Sequence, residues 1–296
     1  MKTGRVIGLL TGSGTHRDPT IERLKEAGYE PVIVHIAGGA GPTGVAIRLG
    51  EIDRIIRYLN NRGVKEVAHI GDVSLMHEDA EGYIGSSQTL APNEMEKFIV
   101  GDNTIEEILQ KAAYLFGKSG IQPVHLKDLV PCFSIDKEGW ITPPHPSVEN
   151  QINALARRVS LEIASEINRY GRPQELRRTI VLEEGTGLDI RREAHTHKVL
   201  SEIRMTAKKP GHLRTLIKVG SNLGQDCTLE APVFHPDLIY ACKKSEIDLV
   251  VLNSSQGVIT QRDVVARKAA EAGIAVWTIR QPLVAVAEEP GNQSEP

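Results

Sequence analysis

The sequence predicts an α/β protein with a doubly wound parallel sheet in its first half and a distinct second α/β domain. Short apolar runs alternate with amphipathic helical segments in the first half, which is the pattern of βαβ units. Aromatic residues make up only 4% of the chain, so Val, Ile, Leu and Ala fill the cores, as in buried parallel sheets. A length of 296 residues suffices for two domains, each with its own core.

The first half reads as alternating strands and helices. The apolar run 5–10 is too short for a signal segment, and we expect it to be the first strand. A helix begins near Pro19, a residue favoured in a first helical turn. The other predicted elements are strands at 30–37, 65–73 and 121–126, and helices at 51–63 and from Thr104 to about Phe116.

A break rich in Pro and Gly divides the chain. Three prolines and a glycine predict a linker without regular structure at 137–146, between an N-terminal domain at 1–136 and a C-terminal domain at 147–283. We expect residues 284–296 to be a disordered tail. The second half is predicted to begin with a long helix capped by Ser147, followed by a hairpin at 179–194 that turns at 185–187. Strands are predicted at 213–219, 249–254 and 274–279, and helices are predicted to start near Pro236 and Thr260.

The composition excludes several classes of function. A net charge of −3 without a long Lys/Arg run gives no electrostatic basis for nucleic-acid binding. Cys132, Cys227 and Cys242 are odd in number and widely spaced, so neither a disulfide framework nor a zinc ribbon is indicated. The cysteine pattern suits a reducing cytosol, so we expect a cytoplasmic protein. Because no run approaches the ~20 apolar residues of a membrane span, any contact with a membrane is expected to be peripheral.

The loop after the first strand is a candidate anion site. Gly12, Ser13, Gly14 and Thr15 lead into a helix, where free N–H groups and the helix dipole favour negative charge. The loop has neither the Lys of a Walker loop nor the third Gly of the dinucleotide pattern. Phosphate or sugar is therefore favoured over NAD as its ligand, and a plain turn is the alternative.

The end of the third strand, at Gly71 and Asp72, is a comparable position. The glycine would permit close approach of a ligand, and the carboxylate would accept from a sugar hydroxyl or hold a metal. A helix cap or a turn explains Asp72 equally well.

Residues 224–234, GQDCTLEAPVF, concentrate polar groups before a strand. Gln225, Asp226 and Glu230 are brought together in a short extended stretch that ends at Pro232. The functional interpretation is that these groups converge on a positive charge, such as a metal ion that holds phosphates. The alternative is a polar loop that leads into an apolar strand.

His195 and His197 stand two residues apart. On a strand both side chains would point to one face, which suits a metal, whereas on a helix they would diverge. An exposed pair beside the start of a helix is the alternative that we prefer.

Several segments together resemble the LpxI-type UDP-2,3-diacylglucosamine diphosphatases of lipid A biosynthesis. The resemblance runs over nearly the whole chain and is carried by residues 50–74, 101–124, the helix after His145, and the segment 216–234. It implies an N-terminal Rossmann-like domain, a distinct C-terminal domain, and a lipid nucleotide substrate held between them. It further implies a homodimer and hydrolysis dependent on Mg²⁺ or Mn²⁺, which yields UMP and 2,3-diacylglucosamine 1-phosphate.

The family motif Gln-Asp-x-x-x-Asp-Leu-Pro maps onto residues 225–232, which end in the matching Pro232. Gln225 and Asp226 match, while Glu230 replaces the second Asp. Asp226 and Glu230 are therefore the expected metal ligands and catalytic residues, with Glu230 alternatively orienting the water. Gln225, Lys218, Gly71, Asp72 and the Gly12–Thr15 loop are expected to contact the substrate.

A second family motif, Glu-Gly-Thr-Asp, is altered. The segment 193–200 falls where this motif belongs and retains only Thr196, which we also expect to contact the substrate. Another register places Glu184-Gly-Thr186 there, with Gly187 in place of the acid. Because an acid is missing in both registers, two alternatives stay open: a homologue that binds a nucleotide-sugar or lipid without hydrolysis, and a hydrolase of another nucleotide diphosphate that uses His195 and His197.

Overall fold

The computed structural model describes residues 4–12, 17–36, 43–71, 105–135, 137–157, 179–183, 188–189, 196–218, 229, 233–253 and 257–279. Two large sheets organise these residues, one mainly from each half of the chain, and a third sheet has only two short strands. The predicted α/β class, with a parallel first sheet and a separate second sheet, is confirmed. None of the helices within these ranges is long and apolar enough to cross a membrane.

The first sheet has five strands, all parallel, in the order β3-β2-β1-β4-β5. Its carboxyl ends therefore meet at one edge. The strands are β1 (Arg5–Thr11), β2 (Tyr29–His35), β3 (Val45–Ala46), β4 (Glu66–Ile70) and β5 (Gln122–Pro123). The two-residue strand β3 was not predicted, because so short a run carries no periodicity of its own.

Helices cover both faces of this sheet. Leu10 and Val34 pack with α2 (Ile52–Asn60) and α3 (Ile105–Lys118) on one face. Ile7, Leu9 and Ile33 pack with α1 (Arg17–Glu26) and α4 (Leu126–Leu129) on the other. Because successive strand residues point to opposite faces, an unbroken apolar run such as Ile7–Leu10 supplies both cores.

The second sheet has six strands in the order β6-β13-β11-β9-β7-β8. The central strands β9, β11 and β13 are parallel, and β6 and β7 pair antiparallel on either side of them. The strands are β6 (Gly139–Thr142), β7 (Thr179–Glu183), β8 (Leu188–Asp189), β9 (Arg214–Lys218), β11 (Leu249–Asn253) and β13 (Ala275–Ile279). Strands β7 and β8 confirm the predicted hairpin, whose turn at 185–187 lies outside the described residues.

Three helices cover one face of the second sheet. They are α5 (Thr196–Arg204), α6 (Pro236–Lys244) and α7 (Arg262–Ala272), which share a core with the sheet. The other face packs against helical residues 149–157 through Ile152, Leu155 and Ala156. These buried residues lie in the described part of the long helix that was predicted after Ser147.

The predicted absence of regular structure at 137–146 is wrong for residues 139–142. These residues form the edge strand β6 of the second sheet, paired with β13. The rings of Trp140 and Trp277 lie 5.8 Å apart between their centroids, and the hydroxyl of Thr278 donates to the carbonyl of Gly139 at 2.9 Å. Pairing with a strand more than 130 residues away gives the segment a structure that its own composition does not reveal. The domain boundaries themselves stay a prediction.

A small parallel pair of strands connects the two halves. Strands β10 (Val233–Phe234) and β12 (Val258–Ile259) pair with each other, and Ser134 forms an isolated bridge with Val258. Val258 is buried in the apolar cluster of the first sheet. The second half therefore shares part of its core with the first.

Candidate substrate-binding and catalytic site

The carboxyl edge of the first sheet contains a topological switch point. From β1 the chain crosses to β2 on one side, while β4 flanks β1 on the other. The amide of Gly12 donates to the carbonyl of Ile70 at 2.8 Å, and Gly71 follows with φ of 103°. Ligands of open parallel sheets bind at such a crevice. The structure thus brings Gly12 and Gly71 together, and their contact with substrate stays a prediction.

The strand ends beside this crevice are held by a histidine that the sequence did not single out. Nδ1 of His35 lies 2.7 Å from the hydroxyl of Thr11, and its Nε2 lies 2.7 Å from the carbonyl oxygen of Thr43. A carbonyl only accepts, so Nε2 donates and, in the neutral ring, Nδ1 accepts from Thr11. A polar residue at the carboxyl end of a buried strand is the signal that could have identified His35.

Helix α1 begins at Arg17, immediately after the candidate anion loop. Nε of Arg17 donates to Asp18 at 2.8 Å, and this hydrogen bond lowers the pKa of Asp18 below its usual value. The first turn therefore carries an arginine whose charge is balanced by its neighbour. Ser13, Gly14 and Thr15 lie outside the described residues.

Residue 229 links the candidate catalytic segment to the first sheet. The carbonyl of Leu229 accepts a hydrogen bond of 2.8 Å from Nδ1 of His69, in β4. The Leu229 side chain is only 1% exposed and packs in the cluster that contains Leu10 and Val34. The connection between β9 and β10 thus meets the first sheet near its carboxyl edge. His69 is the second residue at this edge that sequence reasoning missed.

The carboxylates that would hold a metal are Asp226 and Glu230, which lie outside the described residues together with Gln225 and Asp72. Their oxygen donors suit Mg²⁺ or Mn²⁺ by chemistry. Within the part of the chain that the structure describes, no three His, Cys, Asp or Glu side chains gather into a metal site. The metal site therefore stays a prediction.

Lys218 ends β9 at the carboxyl edge of the second sheet. It is 9% exposed, and its Nζ donates to the carbonyl of Val233 at 3.0 Å. Cys242 is buried nearby; burial raises the pKa of its thiol to about 12, against the opposing charge of Lys218. The thiol is thus protonated at neutral pH, as is usual for a buried structural cysteine. Contact of Lys218 with phosphate stays a prediction.

Thr196 is the first residue of α5 and is buried at 8% exposure. His197 is therefore on a helix, which excludes the strand geometry that would place it on one face with His195. His195 itself lies outside the described residues, as do Glu184, Thr186 and Gly187.

The amino end of β9 carries a buried ion pair. Arg214 is 1% exposed and donates through Nε to Glu183 at 2.8 Å. Burial alone would raise the pKa of Glu183. The hydrogen bonds that it accepts from the Lys209 amide and from Arg214 lower this pKa, and the charges of Arg214 and His212 lower it further. The net result is a lowered pKa. Since Arg214 and Lys218 are at opposite ends of one strand, this pair lies away from the candidate site.

His125 ends the segment after β5 and caps α4. Its Nδ1 accepts from the amide of Lys127 at 3.3 Å, so the proton of the neutral ring is on Nε2. Nε2 is buried and has no hydrogen-bond partner among the residues that the structure describes. Burial and the charge of Lys127 lower the pKa of His125 to about 4, against a weaker opposing effect of Asp128. The ring is therefore neutral at physiological pH.

Comparison with known proteins identifies the first half of the chain. Residues 6–132 match the family model described as the LpxI N-terminal domain. This range contains the first sheet except for Arg5, and it includes Gly12, His69 and Gly71. No curated protein matches the chain.

Proposed function

We propose that this chain, whose residues 6–132 match the LpxI N-terminal domain, acts in the lipid A pathway as a diphosphatase. The proposed substrate is UDP-2,3-diacylglucosamine, and the products are UMP and 2,3-diacylglucosamine 1-phosphate. Water adds to one phosphorus, the P–O bond of the anhydride breaks, and each phosphate leaves with one product. Peripheral membrane contact and a homodimer belong to the same proposal.

One observation carries this proposal: the hydrogen bond between His69 and Leu229. Leu229 immediately precedes Glu230 and follows Asp226 by three residues. Its burial places residue 229 against the half of the chain that has the switch-point crevice, which supports the proposed position of its acidic neighbours. A nucleotide bound at Gly12 and Gly71 would then have its diphosphate near the carboxylates.

The proposed roles follow from the charge of the substrate. A diphosphate carries negative charge on its non-bridging oxygens, and a bound divalent ion supplies the neutralisation that hydrolysis requires. Asp226 and Glu230 would hold this ion, or Glu230 would orient the water. Lys218 and the backbone amides after Gly12 would meet the phosphate oxygens.

The altered acidic motif favours a second candidate function. The family motif Glu-Gly-Thr-Asp is reduced here to Thr196, which is buried at the start of α5 with a histidine on either side. A protein that lacks this acid would retain the fold and bind a nucleotide-sugar or lipid without hydrolysing it. This candidate predicts binding without release of UMP.

The test is release of UMP from UDP-2,3-diacylglucosamine by the full chain in Mg²⁺, Mn²⁺ or EDTA. We expect release with either metal and none in EDTA. Glu230→Gln should lower kcat about 10²–10⁴-fold, as for a residue that positions or activates water. Glu271→Gln is the control, because Glu271 is 68% exposed on α7. Unchanged turnover in Glu230→Gln contradicts its role, and binding without turnover in the wild-type protein favours the second candidate.

A further inference from the structure

The hydrogen bond between His69 and Leu229 joins residues 160 positions apart in the sequence. Since a carbonyl oxygen only accepts, Nδ1 of His69 carries the proton and donates. His69 is 8% exposed and Leu229 is 1% exposed, so water does not compete for this bond. Removal of the donor would leave a buried carbonyl unsatisfied, which is costly.

Leu229 is anchored twice, by independent contacts. Its backbone carbonyl accepts from His69, and its side chain packs in the apolar cluster that α2 and α3 form with the sheet. Val67 belongs to the same cluster and lies two residues before His69 on β4, so both side chains are on one face of the sheet. The hydrogen bond uses the backbone of Leu229 and the packing uses its side chain, so the two contacts can be removed separately by substitution.

His69 is also adjacent to the switch-point crevice. It pairs in register with Leu10, and the next position, Ile70, accepts the hydrogen bond from Gly12. The end of β4 thus has two roles: it borders the crevice through Ile70 and Gly71, and it holds Leu229 through His69. A displacement of β4 would move both together.

We propose that His69 is a positioning residue that docks the connection between β9 and β10 onto the nucleotide-binding edge of the first sheet. The docking fixes the acidic segment around Leu229 relative to a nucleotide in the crevice. This inference rests on the proposed diphosphatase function, which assigns catalysis to that segment. His69 itself makes no contact with the reacting atoms and acts through Leu229.

The first arm of the test measures docking without substrate. His69→Leu removes the donor, whereas His69→Asn keeps an amide N–H near the position of Nδ1. We expect His69→Leu to increase deuterium uptake in peptides that cover 219–232, with β1 unchanged, and His69→Asn to stay near wild type. Leu229→Ala, which removes only the packing contact, should also increase uptake there. It serves as a second variant if His69→Leu fails to fold.

The second arm measures catalysis. His69→Leu should lower kcat about 10- to 100-fold with a smaller change in KM, the size expected for a lost buried hydrogen bond, and His69→Asn should restore most of it. His145→Leu is the control, since His145 is exposed and pairs with Ser147. A purely structural role would lower the amount of folded enzyme without a selective rescue by Asn.

Three outcomes overturn the proposal. They are wild-type uptake at 219–232 in His69→Leu, wild-type kcat in that variant, and equal loss of kcat in His69→Leu and His69→Asn. If the wild-type protein binds nucleotide but releases no UMP, the diphosphatase function fails. The exchange arm then decides by itself whether His69 docks the connection.

Discussion

The hydroxyl of Thr11 and Nδ1 of His35 lie 2.7 Å apart at the carboxyl ends of adjacent strands, and both residues are buried. The pair lies beside the crevice formed by Gly12 and Gly71, so its geometry shapes the candidate binding edge. It also connects the edge to the segment before β3, through the hydrogen bond from His35 to Thr43.

Replacement of Thr11 by Val should destabilise the protein. The substitution keeps the side-chain volume but removes the donor to His35, so we expect the free energy of unfolding to fall by about 1–3 kcal/mol. Thr11→Ser keeps the hydroxyl and should lose less. Urea unfolding of the two variants measures the difference. Equal losses would contradict the prediction, because the methyl contacts would then contribute as much as the hydrogen bond.

Gly44 and Gly117 should respond oppositely to Ala. Gly44 has φ of 100°, and an added Cβ would lie 2.7 Å from the carbonyl oxygen of Ile33. Strain alone should cost Gly44→Ala about 1–3 kcal/mol. Gly117 is in α3, and outside its own stretch of helix no described atom lies within 4 Å of an added Cβ, so Gly117→Ala should stabilise by about 0.5–1 kcal/mol. Thermal unfolding of both variants is the measurement, and a stabilised Gly44→Ala would contradict the backbone geometry.

The buried ion pair at the amino end of β9 should contribute far more than an exposed pair. Arg214→Met leaves Glu183 without its main partner in a site that is mostly buried, so we expect a loss of roughly 3–5 kcal/mol. Arg267→Met removes a pair whose side chains are both 68% exposed, and should change stability by less than about 0.5 kcal/mol. Comparable losses in urea unfolding would show that Glu183 finds other compensation.

The lowered pKa of His125 predicts an acid-sensitive stability. The folded-state pKa is about 4, against 6.5 for the free side chain, so below pH 6.5 the unfolded chain binds the proton more readily. The contribution of the neutral His125 ring to the free energy of unfolding is present above pH 6.5 and is lost as the pH falls. Between pH 7 and pH 5 this loss is roughly 2 kcal/mol. His125→Asn keeps an acceptor for the Lys127 amide but does not titrate.

We therefore expect the stability difference between wild type and His125→Asn to shift in favour of the variant as the pH falls from 7 to 5. Urea unfolding at several pH values measures this difference. A constant difference would contradict the neutral buried ring. Glu183 contributes in a lower window, because its lowered pKa gives stability that is present above its usual pKa of 4.5 and lost as the pH falls below it.

Local pattern was sufficient to predict most of the fold. The apolar runs at β1, β11 and β13 are buried on both faces, so each is nearly continuous in the sequence. Helix α2 carries its apolar residues at helical spacing, and α6 begins at Pro236 as predicted. Strand β6 was missed because its partner β13 is distant in the sequence and its flanks are rich in proline.

The candidate site was harder to predict, because its contacts are long-range. The glycines at Gly12 and Gly71 follow apolar strands, and strand order alone indicates that they share an edge. His35 and His69 acquire their roles from partners at Thr11 and Leu229, and no spacing in the sequence encodes those contacts. Polar residues at the carboxyl ends of buried strands are the signal to use for such sites.

The edge strand β6 determines how this protein can be cut for study. A fragment beginning at residue 147 would lack β6, including Trp140. One edge of β13 would then have unpaired backbone amides and carbonyls. An exposed strand edge can pair with the same edge of another molecule, so we expect that fragment to aggregate. A fragment that begins a few residues before Gly139 would keep the border covered.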